Sequence, residues 1–120
     1  MNRVLLSIPR PLLLTRLEAE LRSELADRLE VFTSNLEVGE RLSDRIDDVA
    51  PDAVVIEVEP DQFPDAVRRL HASNPELVVV GVDRLGDQSG LYLNNAGPEL
   101  LMRAAASVCD SVREWSRSQD

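Results

Sequence analysis

The chain has no lysine: all 13 of its basic residues are arginine. No side-chain amine is therefore present to form a Schiff base or to read a phosphate as a point charge. A single cysteine, Cys109, excludes an internal disulfide and any multi-cysteine zinc site. The lone histidine, His71, leaves too few imidazoles for most transition-metal centres. No metal or other cofactor is expected. Positive charge is in deficit as well, with 22 acidic against 13 basic residues and a formal net charge of -9. Such a surface repels phosphate backbones and anionic lipids, which argues against nucleic acid and membrane partners. No apolar run approaches the roughly 20 residues that a bilayer span requires. The opening MNRVLLSIPRPLLL is interrupted by Pro9, Arg10 and Pro11 and carries no small-residue cleavage pattern, so a cytoplasmic protein is expected.

What is present suffices for one core. A chain of 120 residues that is 43% apolar and 29% charged cannot divide its buried surface between two good cores. A single domain over 1–116 is expected, with 117–120 as a frayed tail. Residues 3–8 form an almost continuous apolar run, a buried strand stopped by Pro9 and Pro11. From 13 onward Leu14, Leu17, Leu21 and Leu25 recur at helical spacing. A shorter, less apolar strand over 29–33 suits a sheet edge. Ser34 or Asn35 is the expected cap of a second helix with Val38, Leu42, Ile46 and Val49 as its stripe.

The AVVIEV run at 53–58 reads as a central parallel strand, being β-branched on both faces apart from Glu57. Pro64 suits the first turn of a third helix carrying Ala66, Val67 and Leu70 inward, and Asn74 and Pro75 end it. A second fully apolar strand follows at 77–82. The next strand, 91–93, comes after a gap too short for a crossover helix, so the Gly86 and Gly90 turn predicts an antiparallel hairpin. A long helix over 98–116 closes the chain. The order βαβαβαββα predicts an α/β three-layer sandwich of the flavodoxin-like kind. Its sheet has five mostly parallel strands in the order 2-1-3-4-5, with the fourth crossover helix missing and the last strand antiparallel. Ligands of such sheets sit beyond the carboxyl ends of the strands, here the loops after strands one and three.

From RVLLSI through PDAVVIEV to the last helix, the pattern resembles the CheY-like receiver domain of bacterial response regulators, over nearly the whole chain. The resemblance implies a phosphate-accepting position at the end of the third strand, after a proline-aspartate start like Pro51 and Asp52. Glu57 stands there in place of aspartate. The family's magnesium-holding acids after the first strand are replaced by Ile8 and Pro9. Its fourth-strand hydroxyl falls near Gly81 or Val82, and its fifth-strand lysine near Asn94 or Asn95. Phosphoryl transfer to a carboxylate needs a metal and a cation to neutralise the transferred oxygens. The resemblance therefore implies a degenerate pseudo-receiver, not an enzyme, acting as a signalling or protein-interaction module without aspartate phosphorylation. The missing crossover helix would also remove part of the surface through which receivers transmit phosphorylation.

Individual residues carry competing readings. Glu57 imitates a phosphorylated aspartate, or pairs with Arg10 across the strand ends, or is a strand-terminal carboxylate with an ordinary structural partner; the last is the plainer reading. Arg10 either greets an anion near a helix start or is an ordinary surface arginine. Glu57, Glu59 and Asp61 share one side if extension continues past the strand and would then attract a divalent cation weakly; solvated loop charge is the simpler account. His71 complements the carboxyl end of the third helix, Cys109 is a small apolar residue, and Tyr92 and Trp115 pack in the core or at an interface. The rival function class is a small-ligand binder or enzyme using the edge formed by Ser7, Arg10, Glu57, Glu59 and Asn94. An open edge beside the last strand predicts a homodimer, and the identity of a protein partner is not encoded.

Overall fold

The computed structural model describes residues 2–25, 28–36, 39–83 and 91–93. In chain order the elements are β1 (Asn2–Ser7), α1 (Pro11–Leu25), β2 (Leu29–Ser34), α2 (Glu40–Val49), β3 (Ala53–Val58), a 3-10 turn (Pro60–Gln62), α3 (Phe63–Ser73), β4 (Val78–Asp83) and β5 (Leu91–Leu93). The sheet order is β2-β1-β3-β4-β5, with the first four strands parallel. β5 lies antiparallel to β4, pairing Val80 with Leu93 and Val82 with Leu91. The segments 84–90 and 94–120 lie outside the described residues. The expected hairpin turn, the missing crossover helix and the long last helix all fall there.

Strand alternation sorts the core into two layers. On one face α1 lays Leu13, Leu17 and Leu21 over Val4, Leu6 and Ile8 of the first strand region, together with Ala53, Val55, Val78, Val80 and Val82. On the other face Leu42 and Ile46 of α2 and Ala66 and Leu70 of α3 pack on Leu5, Val54, Ile56, Val58 and Val79. Helices on both faces explain why every residue of β3 is buried, Glu57 included. This is the flavodoxin-like winding expected from the sequence.

Local chemistry moves several boundaries. α1 begins at Pro11 instead of 13, because proline at the first helical position loses only an N–H that has no intrahelical partner. Leu14 N donates to Arg10 O at 3.0 Å, which makes Arg10 the N-cap residue. α2 is not capped by Ser34 or Asn35. Its N-cap is Gly39, without a side-chain cap bond. Ser34 belongs to β2 instead, and its Oγ accepts the Leu36 N–H at 3.2 Å in the turn that follows.

At the opposite end of the sheet Asp52 joins three strands. Its carboxylate accepts Arg3 N at 2.8 Å, its own N–H donates to Arg3 O at 2.8 Å, and its carbonyl accepts Val78 N at 3.1 Å. Arg3 Nη1 in turn donates to Val49 O at 2.9 Å, which ties down the end of α2. His71 makes a comparable link, with Nε2 2.8 Å from Leu77 O between α3 and β4.

α2 ends on Ala50 at φ 51 and ψ 56, a left-handed conformation that crowds a Cβ. Glycine is the residue this cap geometry favours. Ala50→Gly is expected to stabilise the fold by about 1 kcal/mol and to raise the thermal midpoint by a few degrees in calorimetry. An unchanged or lowered midpoint would contradict the strain.

Candidate functional site

The carboxyl end of β3 carries Glu57, which lies on the same side as Ala53 and Val55, the α1 side of the sheet. Its side chain is 2% exposed. A carboxylate so placed needs a cation or strong donors, because burial of an unpaired charge costs several kcal/mol (order of magnitude). Arg10 supplies them: its Nε donates to Glu57 Oε1 at 2.5 Å. The arginine side chain is 36% exposed, so the pair runs from the core to the rim of the sheet.

The backbone explains the aim of Arg10. Pro9 fixes the chain as it leaves β1, and Pro11 bars Arg10 from helical backbone while starting α1. Arg10 is thus held at the junction of strand and helix, over the end of the neighbouring strand β3, which pairs with β1 from Val4↔Ala53 to Ser7↔Ile56. The site forms because two crossovers bring the first and third strands side by side.

Ser7 ends β1 but belongs to the other face, two residues beyond Leu5, which packs on the α2 and α3 side. It is 1% exposed, and its Oγ donates to Leu36 O at 2.5 Å. Ser7 and Ser34 are register partners, so two serines at adjacent strand ends grip Leu36, one at its carbonyl and one at its N–H. The structure therefore brings Arg10 and Glu57 together and directs Ser7 to a different task. Leu36 and Ser34 carried no sequence signal for that clamp beyond two small hydroxyl residues at strand ends.

Glu59 is half-buried in the connection after β3, and its carbonyl accepts Gln62 N at 3.0 Å. That bond closes the 3-10 turn over Pro60–Gln62, so extension does not continue to Asp61, which is exposed. Among the described residues no group of three or more histidine, cysteine, aspartate or glutamate side chains is placed to hold a metal ion. Asn94, Cys109 and Trp115 lie outside the described residues, as does the side chain of Tyr92. An open cleft of about 270 Å³ lies by the start of α3, lined by Val58, Gln62, Asp65, Ala66 and Arg69. Val58 faces the α2 and α3 side, so this cleft is separate from the Arg10 and Glu57 pair. No described helix is long and apolar enough to cross a membrane.

These features define an α/β protein with the receiver-like, flavodoxin-like winding and an arginine-closed carboxylate at the end of its third strand. Among solved structures it is similar to a protein described as pilus assembly-related from Burkholderia pseudomallei. The two are 17% identical with a TM-score of 0.56, and the match covers 98% of this chain and 90% of that one. It also matches a CheY-like protein, TadZ, from Pseudomonas aeruginosa, at 15% identity and a TM-score of 0.48, covering 98% and 92% of the two chains. The Burkholderia likeness shows a shared fold. No protein-family model matches the sequence, nor does any curated protein.

The pair generates an asymmetric expectation. Arg10→Met leaves the Glu57 carboxylate buried without its cation and should cost about 3 kcal/mol. Glu57→Gln keeps shape and one acceptor and should cost about 1 kcal/mol. The double variant Arg10→Met, Glu57→Leu should recover most of the loss, since apolar replacement of a buried pair is often neutral. Chemical denaturation of the three variants gives the comparison; an Arg10→Met protein as stable as the unaltered chain would refute the pairing.

Proposed function

We propose that the chain is a non-catalytic pseudo-receiver, a signalling or protein-interaction module that works without aspartate phosphorylation. The observation that carries this reading is the Glu57 side chain, 2% exposed and held by Arg10 at the position equivalent to a receiver's phosphoacceptor. A carboxylate that is almost fully buried and closed over by a guanidinium is shielded from an acyl phosphate arriving from solvent. Ile8 and Pro9 after β1 offer no carboxylate for magnesium, and the chain supplies no lysine for the transferred oxygens. The ion pair takes the place of the switch and holds the strand ends in one arrangement.

In this reading the sheet is completed by a fifth strand without a fourth crossover helix, and partner recognition uses surfaces other than the one that conventional receivers employ. The partner is a protein, and a second copy of the chain is one such partner. The module acts in the cytoplasm of a bacterium. The description of the Burkholderia neighbour supplies a first setting in which to seek the partner, the assembly of pili.

The chemistry is tested by incubating the purified chain with acetyl phosphate and magnesium and measuring its intact mass. The expected result is no added phosphoryl group; labelling of a carboxylate would overturn the reading. A signalling role for the pair is tested separately. Arg10→Met and Glu57→Gln should alter capture of the protein partner from cell extract, and capture indistinguishable from that by the unaltered chain would reduce the pair to a structural role.

A further inference from the structure

β2 is one of the two outer strands of the described sheet and pairs with β1 alone. In a parallel pair the N–H and C=O of alternate residues face the neighbouring strand, and those in between face away. Ser34 O accepts Ile8 N at 3.0 Å, so Ser34, Phe32 and Glu30 face β1. Leu29, Val31 and Thr33 consequently present their backbone groups to the open edge. Within the strand itself, Glu30 is the one charged residue, and several devices that blunt such an edge are not used. The strand has no proline and no lysine, and its register runs unbroken from Asn2↔Leu29 to Ser7↔Ser34, which leaves no room for a bulge. Val31, Phe32 and Thr33 are residues that favour extended pairing.

A side chain from α1 does reach the edge. Arg22, reaching from α1, donates from Nη2 to Val31 O at 3.3 Å, the middle of the three outward carbonyls. The same nitrogen lies 3.3 Å from Glu18 Oε2, one helical turn away, which keeps the guanidinium over the strand. We propose that Arg22 guards the β2 edge against pairing with β2 of a second copy of this chain. A two-fold axis at Val31 would set Val31 against its own equivalent, Leu29 against Thr33 and Glu30 against Phe32, so no like charges meet across the new pair. Glu30 is also already drawn to Arg3, at 3.7 Å. The two central hydrogen bonds of that arrangement need the Val31 carbonyls, and Arg22 occupies them. The inference is independent of the pseudo-receiver reading.

Arg22→Ala should tighten self-association, with a dimer dissociation constant lower by about fivefold or more, the scale of a weak exposed contact. Sedimentation equilibrium from micromolar to millimolar protein measures it. Amide exchange should show concentration-dependent protection at Val31 and Thr33. Thr33→Pro on the Arg22→Ala background removes an outward N–H that the β1 ladder does not use, and should reverse the gain. Arg22→Ala protein that associates no more tightly than the unaltered chain would overturn the proposal, as would a gain that survives Thr33→Pro.

Discussion

A carboxylate at the end of a fully buried central strand is the constraint around which the rest of this molecule is arranged. Glu57 cannot reach bulk water, since helices cover both faces of β3. In a chain without lysine, arginine alone among the permanently charged side chains can answer it. The arginine must come from the α1 side, the side on which Glu57 lies. Arg10 meets that demand because Pro9 and Pro11 set its backbone at the strand-to-helix junction, where α1 begins. The β1-to-α1 connection, the start of α1 and the end of β3 are thereby joined through one N–H···O contact.

The sidedness of the strands divides the carboxyl edge into two jobs. On the α1 side the Arg10 and Glu57 pair fills the space between neighbouring strand ends. On the other side Ser7 and Ser34 fix Leu36, and so fix the connection out of β2. A pocket that gathered Ser7, Arg10 and Glu57 around one ligand would have to draw side chains from both faces of the sheet. Period-two alternation aims Ser7 away from the Arg10 and Glu57 pair, and the Ser7 hydroxyl is already engaged by Leu36 O. The opposite end is closed just as firmly, by Asp52, whose three contacts hold the starts of β1, β3 and β4 in line.

Much of the winding was legible in the sequence because the apolar runs were unambiguous. AVVIEV matched β3 at both ends, and Leu17 and Leu21 fell on the buried face of α1. Boundaries failed where one residue could serve two roles. Pro11 read as a strand stop but is also the best residue for a first helical position. Ser34 read as a helix cap but was consumed by its own turn. In the site, pairing of Arg10 with Glu57 was one reading among several. A sequence shows that two opposite charges exist, whereas only the parallel pairing of β1 with β3 shows that they are adjacent. The grouping of Ser7 with them ignored alternation across the two faces. The line from Glu57 through Glu59 to Asp61 assumed an extended chain that the Glu59 to Gln62 turn breaks.

The central structural claim is that the end of β3 is closed by its own arginine, and the proposal built on it is that this end takes up neither magnesium nor a phosphoryl group. Its most direct test is a two-dimensional NMR titration with magnesium and beryllofluoride, a mimic of a phosphorylated carboxylate, following the amides of Ser7, Arg10, Glu57 and Val82. Resonances that stay in place at saturating reagent are the expected result. Saturable shifts concentrated at Glu57 and the neighbouring strand ends would contradict it.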